Sequence, residues 1–194
     1  MGIEPVELIG KRAKLIPMDE SHTADLFEAG WDRSIWTYMP DIAETMDDMR
    51  HLVSLALSAR DKGTELPFVI VDQHSNKIVG STRFLDISIP NRHLEVGWTW
   101  LSPSVWRTRI NTECKYLLLR HGFEQLDMIR VQIKTDGRNV RSQQAIERIG
   151  GVKEGVLRKH RILHDGYVRD SVYYSVIAEE WPGVKSRLEK MLSR

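Results

Sequence analysis

A single cysteine, Cys114, leaves the chain no partner for an internal disulfide, which suits a reducing compartment. No apolar run approaches the roughly 20 residues that span a bilayer, and the opening Met-Gly-Ile-Glu-Pro shows neither a basic segment nor an apolar core of a secretory signal. The expectation is a soluble cytoplasmic protein without membrane association. Charge of one sign is equally scarce. The 28 Lys and Arg against 27 Asp and Glu leave a net +1, which argues against a nucleic-acid binder and for a small partner. Internal repeats and low-complexity tracts are missing too. His160 and His164 are spaced i, i+4 but flank a hairpin signal instead of sharing a helix, so no metal is expected. What the chain does have is 194 residues at 41% hydrophobic content, enough for one domain with a sizeable core over residues 1–194.

Apolar spacing divides the chain into elements. Val6 to Met18 predicts a strand, Ser21 to Ala29 a helix capped by Ser21 or Asp19, and Trp31 to Glu44 an aromatic-rich loop. Met49, Leu52, Val53 and Ala56 repeat at helical spacing within a helix over Asp47 to Asp61. Phe68 to Val71, Lys77 to Ile89 and Leu94 to Leu101 predict an antiparallel meander. In its third strand, simple alternation puts Leu94, Val96, Trp98 and Trp100 on one face and His93, Glu95 and Thr99 on the other. A helix over Thr112 to Leu126, with Cys114, Leu117, Leu118 and His121 on one stripe, crosses to a parallel strand, Arg130 to Thr135. Ser142 to Ile149 follows as a helix closed by Gly150-Gly151. Gly155 to Leu163 and Tyr167 to Ala178 form a hairpin around Asp165-Gly166, and an amphipathic helix follows Pro182.

The most informative stretch is Leu101 to Phe123, where an apolar strand enters an amphipathic helix through a short polar loop. The first N–H groups of a helix have no intrahelical partner and carry positive potential, so an anion placed there is bound by both. Arg107 and Arg109 add charge. The tripeptide Leu101-Ser102-Pro103, the loop Trp106 to Asn111, the run Asn139-Val-Arg-Ser142 with Ala145 to Gly151, and Glu154-Gly-Val-Leu-Arg158 resemble the GNAT superfamily of acetyl-CoA-dependent N-acetyltransferases. The branch they resemble most is that of the ribosomal-protein N-terminal acetyltransferases, and the likeness covers nearly the whole chain. The loop departs from the family pattern, with Arg109 and Asn111 where glycines stand.

The resemblance implies a mixed α/β fold whose mostly antiparallel sheet is flanked by helices and splayed between the fourth and fifth strands, with acetyl-CoA as co-substrate and no metal. It implies backbone contacts to the pantetheine arm from Trp100 and Leu101, pyrophosphate contacts from Trp106, Arg107, Thr108, Arg109, Ile110, Asn111 and Thr112, and a side-chain contact from Asn139. Residue preference alone equally makes Asn139 a helix cap. Acetyl transfer to an amine needs a deprotonated nucleophile, a stabilised oxyanion and a place for the departing thiolate. Glu95 is the candidate base, or else a solvated strand-face carboxylate. Ser142 is the candidate cofactor contact that bonds the thiolate, or else a first-turn residue serving local backbone. Tyr173 or Tyr174 is the alternative acid. Trp31, Trp36 and Tyr38 are candidates for the acceptor wall, or else pack beneath a long loop.

The acceptor expected from this branch is a protein N-terminal α-amine. A small amine such as a polyamine, amino acid or antibiotic is the alternative within enzymes, and a non-catalytic acyl-CoA-binding module the alternative outside them. Pairing with a second copy is left open.

Overall fold

In the computed structural model, which describes residues 3–193, the single first strand expected from the sequence is two, β1 (Leu8–Ile9) and β2 (Ala13–Pro17). The Glu113 carboxylate holds the break, accepting the N–H groups of Lys11, Arg12 and Ala13 at 2.7, 2.9 and 2.6 Å. A side chain about a hundred residues away fixes this turn, so local spacing carried no sign of it.

Two helices follow, α1 (Thr23–Ala29) and α2 (Met46–Asp61). Thr45 and Asp48 cap α2 reciprocally, each side chain accepting the other's N–H. The loop between the helices contains a short 3-10 turn, Arg33–Trp36. Then β3 (Leu66–Asp72), β4 (Lys77–Ser88) and β5 (His93–Leu101) form the expected antiparallel meander. Helix α3 (Ile110–Glu124) starts two residues before the position expected and crosses to β6 (Arg130–Asp136), parallel to β5. The chain closes with α4 (Val140–Arg148), the hairpin β7 (Val152–Ile162) and β8 (Val168–Ile177), and α5 (Trp181–Leu192).

The sheet is eight-stranded, in the order β1-β2-β3-β4-β5-β6-β8-β7. Its two faces bury separate cores. One, the back, packs Leu94, Val96, Val131, Ile133 and Tyr174 against Leu117, Leu118, Ile146 and Leu188 of the later helices. The other, the front, packs Val69 and Trp100 against Leu26 of α1 and Met49 and Val53 of α2. Front-facing side chains of the later strands are polar instead, Gln132 and Lys134 on β6 and Ser171, Tyr173 and Ser175 on β8, alternating with buried apolar partners.

Two features of β5 position the site. Its pairing with β6 covers only His93 to Glu95 against Arg130 to Gln132. Beyond Glu95 the strands part, which is the splay expected between the fourth and fifth strands, counted before the first strand divides. The second feature corrects simple alternation. The β4 register shifts between Ser81 and Arg83, and Trp98 takes φ +50. This is a β-bulge, which places two successive residues on one face. Trp98 therefore sits over Arg83 on the front, and Trp100 joins the front core with Trp36 while Leu101 joins the back. Thr99 turns to the back, where it meets Lys115 of α3.

Candidate active site

The loop entering α3 takes its left-handed residue at Arg107, φ +61, while Arg109 lies at φ −76 and Asn111 is already helical. Of the residues standing near the family's glycine positions, the backbone demand thus falls on Arg107, a side chain that adopts this region at some cost. Thr108 steadies the turn, its hydroxyl donating to Val105 O at 2.7 Å and accepting from Ile110 N at 3.4 Å. The first-turn N–H groups of Asn111 and Thr112 have no earlier helical carbonyl to bond and remain available to an anion. Trp106 folds back, its indole N–H donating to Leu101 O at 2.7 Å, and Arg141 of α4 lies 4.6 Å over its ring. Arg109 donates to Leu192 O at 3.2 Å, so that cation is also tied to α5. Arg141 was not foreseen, because only the fold brings the start of α4 beside the start of α3.

Replacing Arg107 and Arg109 together by Ala is expected to weaken CoA binding, more so at low than at high ionic strength because both side chains are exposed. Isothermal titration at two salt concentrations reads this. Equal affinity for both proteins would leave the backbone N–H groups as the whole anion site.

Asn139 caps α4, its carboxamide oxygen accepting from Ser142 N at 3.0 Å. Its capping alternative is thus fulfilled in this structure, with the carboxamide N–H₂ left for a ligand. Ser142 is half-buried in the first turn of α4. The two tyrosines face opposite sides. Tyr174 is buried at the back and donates to Glu147 at 3.0 Å; burial and that bond push its hydroxyl up to about 12. Tyr173 faces the front.

Glu95 is 1% exposed on the front floor, at the last residue before the strands part. Both Gln132 Nε2 and Lys134 Nζ donate to its Oε2 at 2.7 Å. Its other oxygen, Oε1, faces Gly97, where a Cβ would come within 2.9 Å of it. Glycine there keeps the carboxylate edge open. Of the two readings of Glu95, a buried and fixed carboxylate replaces a solvated one. Behind it Lys134 lies 5.8 Å from the centre of the Tyr173 ring, and Tyr173 OH reaches His160 Nε2 at 3.4 Å. Burial and the Lys134 charge lower His160 from its ordinary value, so it is neutral near pH 7. Burial and Glu95 raise Tyr173, which stays protonated there.

The three loop aromatics are not brought together. Trp36 is 1% exposed, tilted against Trp100 at 5.2 Å, with its indole N–H donated to Gly30 O at 2.9 Å. Trp31 is 74% exposed. Tyr38 is half-buried beside Arg138, which stacks 3.4 Å from the Tyr167 ring of the hairpin. Arg169 donates to Tyr38 O at 3.4 Å and His164 meets Trp36 O at 3.2 Å. The loop is therefore tied to the β7–β8 hairpin, and the two border the polar front floor from either side. Cys114 is fully buried at the back, where burial pushes its thiol up to about 12, and it behaves as a small apolar residue. Among the described residues no cluster of three metal-ligating side chains occurs and no helix is long and apolar enough to cross a membrane.

Residues 12–152 match the family described as acetyltransferase (GNAT) domain. YdaF of Bacillus subtilis (strain 168), named as a candidate ribosomal N-acetyltransferase, is 30% identical over 112 residues, which span 58% of this chain and 60% of that protein's length. A T. thermophilus protein solved as an assigned acetyltransferase is 38% identical and superposes with a TM-score of 0.89 over 99% of this chain and 100% of that one. RimJ of Mycobacterium smegmatis, solved with CoA-disulfide, shares the fold at 21% identity, with a TM-score of 0.80 over 92% of this chain and 88% of its own.

Proposed function

The chain belongs to the acetyltransferase (GNAT) family, and on that premise we propose that it transfers an acetyl group from acetyl-CoA directly to a primary amine, a protein N-terminal α-amine. The single observation that carries this reading is Glu95, a buried carboxylate held by two donors at the point where β5 and β6 part.

The residues present fit the co-substrate. The helix α3 start supplies N–H donors and exposed Arg107 for phosphates, and the unpaired edge of β5 beyond Glu95 supplies backbone groups of the kind that bind an extended ligand as an added strand. When bound, acetyl-CoA supplies an activated acyl group on a thiol whose ordinary pKa is about 8.5, so departure needs little acid. The harder task is the acceptor, an amine that is mostly protonated at neutral pH. Glu95 Oε1 accepts that proton, directly or through a water, while Gln132 and Lys134 keep Oε2 engaged and the carboxylate oriented. Asn139 and Ser142, at the start of α4, stand on the cofactor side. Tyr38, with Trp31 at the outer rim of the loop, borders the acceptor side.

A protein terminus suits the floor between the Trp31–Glu44 loop and the hairpin, because that floor is polar and edged by strand backbone. The branch resemblance and the name of YdaF support the same acceptor class. The test is a screen with acetyl-CoA in which ribosomal-protein N-terminal peptides, polyamines and amino acids compete, read by thiol release. Turnover confined to peptides is expected; turnover confined to polyamines or amino acids would replace the acceptor assigned here.

A further inference from the structure

Lys115 lies on α3, five residues past Ile110 and so about 8 Å deeper along the helix axis than the anion loop, from the 1.5 Å rise per residue. It is 7% exposed. Its Nζ donates to Thr99 Oγ1 at 2.7 Å, and Thr99 Oγ1 lies 2.8 Å from Thr82 Oγ1. Among the described residues it has no carboxylate partner. A buried ammonium without a counter-charge costs stability, and replacing it by an apolar group of similar size is expected to restore some. Thr99 belongs to the segment of β5 that leaves β6. The ammonium therefore sits beside the gap, between the phosphate end at α3 and Glu95.

We propose that Lys115 is the residue that meets the cofactor's sulfur and gives it a proton as the acetyl group leaves. The inference rests on the acetyl-CoA reading above. As the acceptor nitrogen bonds to the acyl carbon, the C–S bond breaks and its electron pair goes to sulfur. Lys115 passes one proton to that sulfur, giving a thiol and a neutral amine, and recovers a proton from water after release. The acceptor's own proton goes to Glu95. Burial lowers Lys115 to about 8, with the charges of Cys114 on its own helix and Glu95 on β5 acting the other way. An acid at that value faces a thiol of about 8.5, so the transfer is close to balanced in either direction.

The test uses Lys115→Met, which keeps length and removes charge. Free CoA is bound to each protein and its thiol titrated by ultraviolet thiolate absorbance, with desulfo-CoA affinity measured alongside. In the wild-type protein the bound thiol is expected to titrate below its free value, and CoA to bind at least several-fold more tightly than desulfo-CoA above pH 8. In Lys115→Met both effects should vanish, while the melting temperature at pH 7 rises and maximal turnover falls tenfold or more. The thermal gain should shrink between about pH 8 and 10.5, where the wild-type lysine loses its charge. Thr99→Val, which removes the hydrogen bond but keeps the ammonium, should retain part of the thiol shift. Identical thiol titrations in wild type and Lys115→Met would overturn the inference alone, leaving Lys115 a packing residue. Failure of the wild-type protein to bind CoA would overturn the acetyl-CoA reading and this inference with it.

Discussion

Glu95→Gln is expected to lower kcat by about 10² to 10⁴, with KM for acetyl-CoA nearly unchanged. The amide keeps the side chain's shape and still accepts from Gln132 and Lys134, but it takes up no proton. A purely structural carboxylate predicts the reverse pattern. Lys134, 15% exposed at its side chain, would lose its counter-charge, so the melting temperature would fall while kcat of the folded fraction stayed level. Steady-state kinetics with a thermal scan on the same preparations separates the two outcomes.

The second large effect is on stability. Trp36→Ala should lower the free energy of unfolding by about 3–5 kcal/mol, because it removes a fully buried ring and strands the Gly30 carbonyl that accepted its N–H. Trp31→Ala, at an exposed position, should stay within about 0.5 kcal/mol of the wild type. Denaturant midpoints for the two variants test this directly. If Trp36→Ala instead left the midpoint alone and raised only the acceptor KM, Trp36 would be a pocket wall and its burial against Trp100 would be energetically idle.

The sequence was most legible where contacts are local. The meander β3 to β5, the strand-loop-helix entering α3, the Asp165-Gly166 hairpin and the glycine-closed α4 depend on turn chemistry and periodicity within a few residues, and they stand within two or three residues of their expected ends. Elements decided by distant partners were not legible. Alternation failed at Trp98 because a bulge against β4 inverts the faces beyond it. The first strand divided because Glu113 draws in the backbone of Lys11 to Ala13. Part of the site behaved the same way. Glu95 could be named from its strand, but Lys134, Gln132 and Lys115 acquire meaning only when β6 and α3 are laid against β5. The loop aromatics looked alike in sequence, and only the hairpin's grip on the Tyr38 backbone and the packing of Trp36 under α1 tell them apart.

The most direct measurement of the acceptor assignment compares two peptides of one ribosomal-protein N-terminal sequence, one with a free α-amine and dimethylated lysines, the other with a blocked α-amine and free lysines. Each is incubated with acetyl-CoA and the protein, and the products are located by fragment mass. Acetylation of the first peptide at its terminal nitrogen, abolished in Glu95→Gln, is the predicted result. Acetylation of the second peptide alone, or of neither while CoA still binds, would contradict it.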